Sequence, residues 1–177
     1  MDINLTSIGV KVGWAVEPEV GSMPATYKHI PQITEIPDMD AEPEALETTS
    51  LDNEEFRTYT SGLKDIGGSL AFTANLTQEL LDGWNGKAEK DGSSVMESYE
   101  KAKAAGKAFY LAVSIPGLDR AITFTCEPSK IGLMGMGVNE VIDCTLYVTP
   151  TGEPEWTKGI TVTETGAASM SAMNFSY

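Results

Sequence analysis

The stretch Phe109-Tyr110-Leu111-Ala112-Val113-Ser114-Ile115, closed by Pro116-Gly117, decides the fold class. Phe109, Leu111, Val113 and Ile115 fall on one side of an extended chain, because strand side chains alternate with a period of two. Pro116-Gly117 is a turn pair that reverses the chain. The pattern repeats downstream. Ile122, Phe124 and Cys126 share a face, and so do Ile142, Cys144, Leu146 and Val148 after a glycine-rich connection, Gly132 to Gly137. The opposite faces carry small and polar residues: Tyr110, Ser114, Thr123, Thr125, Asp143, Thr145 and Tyr147. One apolar face and one polar face per strand is the signature of an antiparallel sheet covered on one side.

Working outward, Leu70, Phe72, Ala74 and Leu76 repeat the alternation. Val10 to Val16 forms a first strand, carrying Trp14. Tyr27 to Ile36 forms a second, interrupted by Pro31, which cannot donate to a ladder and so marks an edge or bulge. Thr149 to Gly152 is a turn, and Ile160 to Thr163 reads as a weak last strand. Thr77 to Leu81 suggests one helical turn, ending at the turn pairs Asp82-Gly83 and Asn85-Gly86. The clearest helix is 94–105. Ser94 with Glu97 makes a capping box, Gly106 suits the residue after the C-cap, and Val95, Tyr99 and Ala102 share a stripe. The expectation is one mainly β domain over 1–177, an antiparallel sandwich or barrel with one flanking α-helix.

Residues 38–68 stand apart as a long loop. Between Glu35 and Glu55 there is no lysine or arginine, while Glu35, Asp38, Asp40, Glu42, Glu44, Glu47, Asp52, Glu54 and Glu55 are acidic. No strand or helix period is sustained across it. A loop of this length inside a compact domain is functional or disordered.

Composition narrows the function. The chain has 177 residues and a formal net charge of -14. That balance opposes nucleic-acid binding through a basic patch and docking on anionic membrane. No run of about 18 apolar residues exists, so no membrane span is expected, and Met1-Asp2-Ile3-Asn4 does not open a secretory signal. Acidity keeps the chain soluble, or gives it a surface that must not hold DNA. Cys126 and Cys144 each alternate with apolar neighbours and read as buried thiols in a reducing cytoplasm.

No catalytic constellation emerges. His29 is the single histidine, and no serine sits in a Gly-x-Ser-x-Gly elbow. Asp38-x-Asp40-x-Glu42 begins like a calcium loop, but Pro43 stands where glycine is needed and Thr49 where a bidentate glutamate is needed. Gly132-x-x-Gly135-x-Gly137 lacks the Lys-Ser/Thr ending of a phosphate loop. No catalytic residue, metal ligand or cofactor is expected.

Within the acidic segment the order of residues is informative. Leu46-Glu47-Thr48-Thr49-Ser50-Leu51-Asp52, then Arg57-x-Tyr59, then Gly62-Leu63-x-Asp65-x-Gly67, leads into the strand at Leu70. Downstream come Gly106-Lys107-Ala108-Phe109-Tyr110, Ile115-Pro116-Gly117, Asn139-Glu140-Val141 and Val148-Thr149-Pro150-Thr151-Gly152. The ordered set, spanning roughly Ile30 to Trp156, resembles the major tail tube proteins of long, non-contractile-tailed (siphophage-type) bacteriophages. The resemblance implies a structural virion protein made in the host bacterial cytoplasm. Six copies would form a ring, and rings would stack into a tube. The lumen would hold a tape-measure protein and later pass DNA without binding it specifically. Tail terminator and distal tail or baseplate proteins would be further partners. Residues 38–68 would reach into the next ring, with Leu46, Glu47, Thr48, Leu51, Phe56, Arg57, Tyr59 and Leu63 as contact residues. An N-terminal arm, 1–8, would add contacts. The loop is expected to order on docking; the alternative is that its apolar residues pin it to its own domain. Asp143 is a candidate lumen residue, a solvated outer position being the alternative. Two other readings stand beside this one: a β-sandwich binding or adhesion module, and another tail component of related fold.

Overall fold

A computed structural model describes residues 5–52, 56–86 and 94–163. Its strands are β1 (Lys11–Val16), β2 (Thr26–His29), β3 (Ile33–Glu35), β4 (Pro43–Glu47), β5 (Tyr59–Lys64), β6 (Leu70–Asn75), β7 (Phe109–Ser114), β8 (Arg120–Pro128), β9 (Asp143–Pro150), β10 (Glu155–Lys158) and β11 (Thr161–Thr163). Helices α1 (Gln78–Asn85) and α2 (Val95–Ala104) lie between β6 and β7. Nine strands form one sheet in the order β11-β2-β1-β7-β8-β9-β6-β3, with β10 added beside β8. The pairs are antiparallel except β11 with β2. The sheet is curled into a half-barrel, and the mainly β architecture with helical cover expected from the sequence is what the chain adopts.

Two corners produce the curl. The first is β8, nine residues long. Its residues 121–125 pair with β7 and residues 126–128 with β9, so the strand leaves one half of the sheet and enters the other. The second corner is Ile30-Pro31-Gln32. β2 and β3 are consecutive in the chain, yet β2 pairs with β1 while β3 pairs with β6 at the far end of the sheet. The Ile30 N–H donates to the Val12 carbonyl at 2.8 Å, and the Asn75 N–H donates to the Gln32 carbonyl at 2.9 Å. Two residues span about 7 Å at most, so β1 and β6 must approach each other there. Pro31 has no N–H to give either ladder, and Gln32 turns through a φ of 66°. The proline read from the sequence as an interruption is therefore the place where the chain changes edges.

The interior is one large apolar cluster, with a small second one where Tyr110, Ile160 and Val162 pack on Ala15, Tyr27 and Ala112. Val12, Trp14, Phe72, Leu111, Phe124, Leu146 and Val148 come from strands, and Leu80, Trp84, Val95 and Met96 from helices. Trp14 stacks on Phe109 at 5.7 Å, and Tyr99 of α2 meets the same ring edge-on at 6.1 Å. Ser94 caps α2 by accepting from the Glu97 N–H at 3.3 Å. At the other end the chain leaves through Gly106, whose φ is 71°. The single turn expected from Thr77 is longer than the sequence suggested. Thr77 accepts from the Leu80 N–H, and α1 continues through Gly83, because Leu80 and Trp84, one turn apart, are both buried. Trp84 also donates its indole N–H to the Ser129 carbonyl at 2.7 Å.

Cys126 and Cys144 are buried and free. Burial pushes the Cys126 thiol up to about 12, with Glu127 adding to it, and raises Cys144 too, with Asp143 adding to it. A raised folded-state value means that the folded chain keeps its thiol protons longer than the unfolded chain does. Stability from this source is complete below the ordinary thiol range, about 8.5, and is lost as pH rises above it.

Two outcomes follow from this core. Phe124→Ala, at a site 2% exposed, should lower the free energy of unfolding by about 3–5 kcal/mol in denaturant titration. A maleimide at neutral pH should leave both native cysteines unlabelled in the folded chain and label both in denaturant, while the melting temperature falls on going from pH 8 to pH 10.

Candidate assembly surface

Residues 38–68 contain a hairpin, contrary to the expectation of a segment without strands. β4 and β5 pair antiparallel, Leu46 opposite Thr60 and Glu47 opposite Tyr59, as a two-stranded sheet separate from the main one. Aspartates shape its root. The Asp38 carboxylate accepts from the Asp40 N–H, and the Asp65 carboxylate accepts from the Gly67 N–H, each at 2.9 Å, which is the aspartate's usual way of stabilising a turn. Threonines close the far end: the Thr48 N–H donates to the Thr58 carbonyl at 2.8 Å, and the Thr58 N–H to the Thr49 hydroxyl at 3.0 Å. Between these ends β5 bulges, Gly62 and Leu63 standing opposite Glu44 alone. A Cβ on Gly62 would lie 2.9 Å from the Glu44 carbonyl oxygen, a backbone atom, so glycine is required there.

Neither face of the hairpin is covered. Every residue of β4 and β5 is exposed except Pro43 and Gly62, which are intermediate. Two bare strands are marginal in water, and this pair also exposes apolar residues. Leu51, Phe56 and Leu63 are 105%, 77% and 89% exposed, and Leu46 and Tyr59 are about half exposed. They do not pin the segment to its own domain. Of the expected contact residues, Leu46 and Glu47 lie on β4, Tyr59 and Leu63 on β5, and Thr48, Leu51, Phe56 and Arg57 in the connection. Arg57 sits 3.9 Å from Glu47 of the same hairpin, both exposed. Such a pair contributes little and leaves the acidic character of the arms standing.

At the hairpin root an open groove runs between three parts of the chain: Leu5 and Val10 from the N-terminal segment, Ile36 and Met39 before the hairpin, and Ile66 and Trp156 opposite. Residues 1–4 of the expected arm and 53–55 of the expected loop lie outside the described residues. Asp143 opens β9, exposed and opposite Asn75. The outward surface beside it is rich in threonine and bordered by acids: Thr145 faces Thr73, the Thr34 hydroxyl donates to the Thr73 carbonyl, Ser69 and Thr149 share a hydrogen bond, and exposed Glu35 and Glu127 pair with Thr73 and Thr149.

A second exposed apolar feature escapes the sequence reading. The connection between β8 and β9, read there simply as a link between strands, holds Leu133, Met136, Val138 and Val141 at 78%, 52%, 90% and 74% exposure. The available signal was the near absence of charge from 131 to 142, where Glu140 alone is ionisable.

No family model matches this chain, and no curated protein does. Solved structures are similar to it. A chain of the anti-feeding prophage (AFP) baseplate, determined by cryo-EM and six-fold symmetrised, aligns over 90% of this chain and 99% of its own, with a TM-score of 0.56 and 12% identity. A chain of the tail of an empty GTA particle, from helical refinement with C6 symmetry, covers 74% of this chain and 86% of its own, with a TM-score of 0.46 and 15% identity. The first likeness spans the fold from end to end.

Gly62→Val should separate hairpin from body. The bulge must shift to admit the side chain, while the core is untouched. Unfolding of the body monitored by circular dichroism should change by less than about 0.5 kcal/mol, and any self-association measured by sedimentation should weaken at least about tenfold.

Proposed function

We propose that this chain is a non-enzymatic structural subunit of a phage-type tail, assembling with copies of itself into six-membered rings that stack as a tube. The observation that carries the reading is the β4–β5 hairpin: a two-stranded sheet, bare on both faces, that holds Leu51, Phe56 and Leu63 in water outside the domain's own core. Exposed apolar surface on a projecting element marks a place where another chain sits. The likeness in fold to a chain of a six-fold symmetrised baseplate supports the tail reading and the ring order. The ordered resemblance of Leu46 to Gly67 and the downstream blocks to tail tube proteins supports the tube.

In this reading the hairpin joins successive rings, and the threonine-rich surface around Thr73 and Thr145, with the acids Glu35, Glu127 and Asp143 at its border, suits a bore. DNA has about one charge per 1.7 Å of axis. A wall without basic residues lets it slide, where a basic wall would hold it. Tape-measure, terminator and distal-tail proteins are the partners such a tube requires. A second reading has a specific observation behind it, because the neighbour belongs to a baseplate: the chain forms a single ring at the end of a tail, its hairpin seated on a different protein.

Negative-stain microscopy of concentrated protein tests this. Hollow tubes support the tube, closed rings that never stack support the baseplate reading, and a monomer at all concentrations overturns both. The net charge of -14 sets the salt dependence. Raising ionic strength from about 0.05 M to about 0.5 M shortens the screening length about threefold, so assembly should begin at lower protein concentration in the higher salt.

A further inference from the structure

The loop Leu133–Ile142 is held at both ends. Asn85, the last residue of α1, accepts from the Ile131 N–H at 2.8 Å and donates to the Ile131 carbonyl at 3.2 Å. The Leu76 N–H donates to the Ile142 carbonyl at 2.9 Å. The loop is also folded on itself. Thr145 donates to the Met134 sulfur, and the exposed Glu140 carboxylate accepts from the Gly137 N–H at 3.0 Å. What remains outward is Leu133, Met136, Val138 and Val141, apolar residues on an anchored base, with the exposed Glu140 as the one carboxylate among them.

This patch and the hairpin lie at opposite ends of the domain. β6 leaves the hairpin root at Leu70 and ends one residue before Leu76, beside Ile142. β9 starts next to the loop and finishes at Pro150, which lines the groove at the hairpin root. Five strand steps separate the two ends by about 17 Å, so the hairpin and the loop of one copy emerge at opposite ends of these strands. Hairpins do not suit each other as partners, because Glu42, Glu44, Glu47 and Asp52 would be brought against their own kind. The loop, in which Glu140 alone is ionisable, meets far less of that repulsion.

We infer that the loop Leu133–Ile142 is the seat for the hairpin of a second copy of this chain, with Leu51, Phe56 and Leu63 of one copy covering Leu133, Met136 and Val138 of the next. This rests on the stacked assembly proposed above and names its two halves. The joint is head-to-tail, using different patches on the two partners, so it leaves a free hairpin at one end and a free loop at the other and propagates. Met136 and the glycines around it suit the seat, since an unbranched thioether side chain adapts to the shape laid on it.

The buried native thiols permit a crosslinking test. Leu51→Cys, Val138→Cys and the double variant are treated with a short bismaleimide under conditions where microscopy shows assembly. The double variant should give a ladder of dimers, trimers and longer chains on denaturing gels. An equal mixture of the two single variants should give dimers only, and each single variant alone should stay monomeric. In parallel, Leu133→Ser/Val138→Ser should keep the monomer's melting temperature while raising the concentration needed for assembly at least about tenfold. Assembly with no mixed crosslink, or with Val138→Cys joining only to itself, overturns the pairing and leaves the tail reading intact. If the unmodified chain never assembles, the tail reading and the pairing fall together.

Discussion

Three residues, Ile30 to Gln32, join strands that pair at opposite ends of one sheet, and that short link constrains the rest of the fold. A flat sheet of this order would hold β2 and β3 several strands apart, at nearly 5 Å per strand. The chain supplies two peptide steps. The sheet therefore has to curl, and β8 has to bend between β7 and β9 to let it. Once curled, the sheet encloses Phe72, Phe124 and Leu146 on its inner side, and the two helices pack into the same interior. Both ends of the half-barrel are left as the places where loops emerge. The exposed hairpin leaves one end and the apolar loop leaves the other because the strands between them run the length of the body.

Charge then limits what the emerging elements can meet. The first arm of the hairpin carries Glu44 and Glu47, and Asp38, Asp40, Glu42 and Asp52 flank it, with Arg57 and Lys64 as the basic residues on or beside the strands. A surface of that kind repels its own copy and nucleic acid alike. An apolar partner of low charge is compatible with it, because burying leucine and phenylalanine gains about 25 cal/mol for each Å² removed from water whatever the sign of the surrounding charge. The core takes no part in such a contact. An element uncovered on both faces can be damaged without unfolding the domain, which is the behaviour expected of a joint rather than of a scaffold.

Much of the scaffold was legible in the sequence. Phe109, Leu111 and Val113 alternate because one face of their strand is buried and the other is not, and Ser94 and Gly106 mark helix ends through local hydrogen bonding and local backbone freedom. β4 and β5 were not legible for the matching reason. Both of their faces meet water, so no alternation was imposed on them, and only the backbone ladder makes them strands. β10 is four residues with Trp156 half exposed; it exists because β8 offers it an unpaired edge. Leu133 to Val141 reads like core by composition, and nothing local distinguishes its leucine and valines from buried ones.

The sequence by itself determined the strand faces, the caps of the second helix, the reduced and buried character of Cys126 and Cys144, and the acidic segment as the unusual part of the chain. Each of these follows from interactions within a few residues or from the identity of the side chain. The tertiary structure alone decided that Pro31 is a crossing from the β1 side of the sheet to its far edge, that Leu51, Phe56 and Leu63 stand in water, and that a second apolar surface lies at the other end of the strands. Those are matters of which distant strand lies alongside and which face remains uncovered. Distance in space and exposure are set by the closed sheet as a whole, and no window of the sequence contains them.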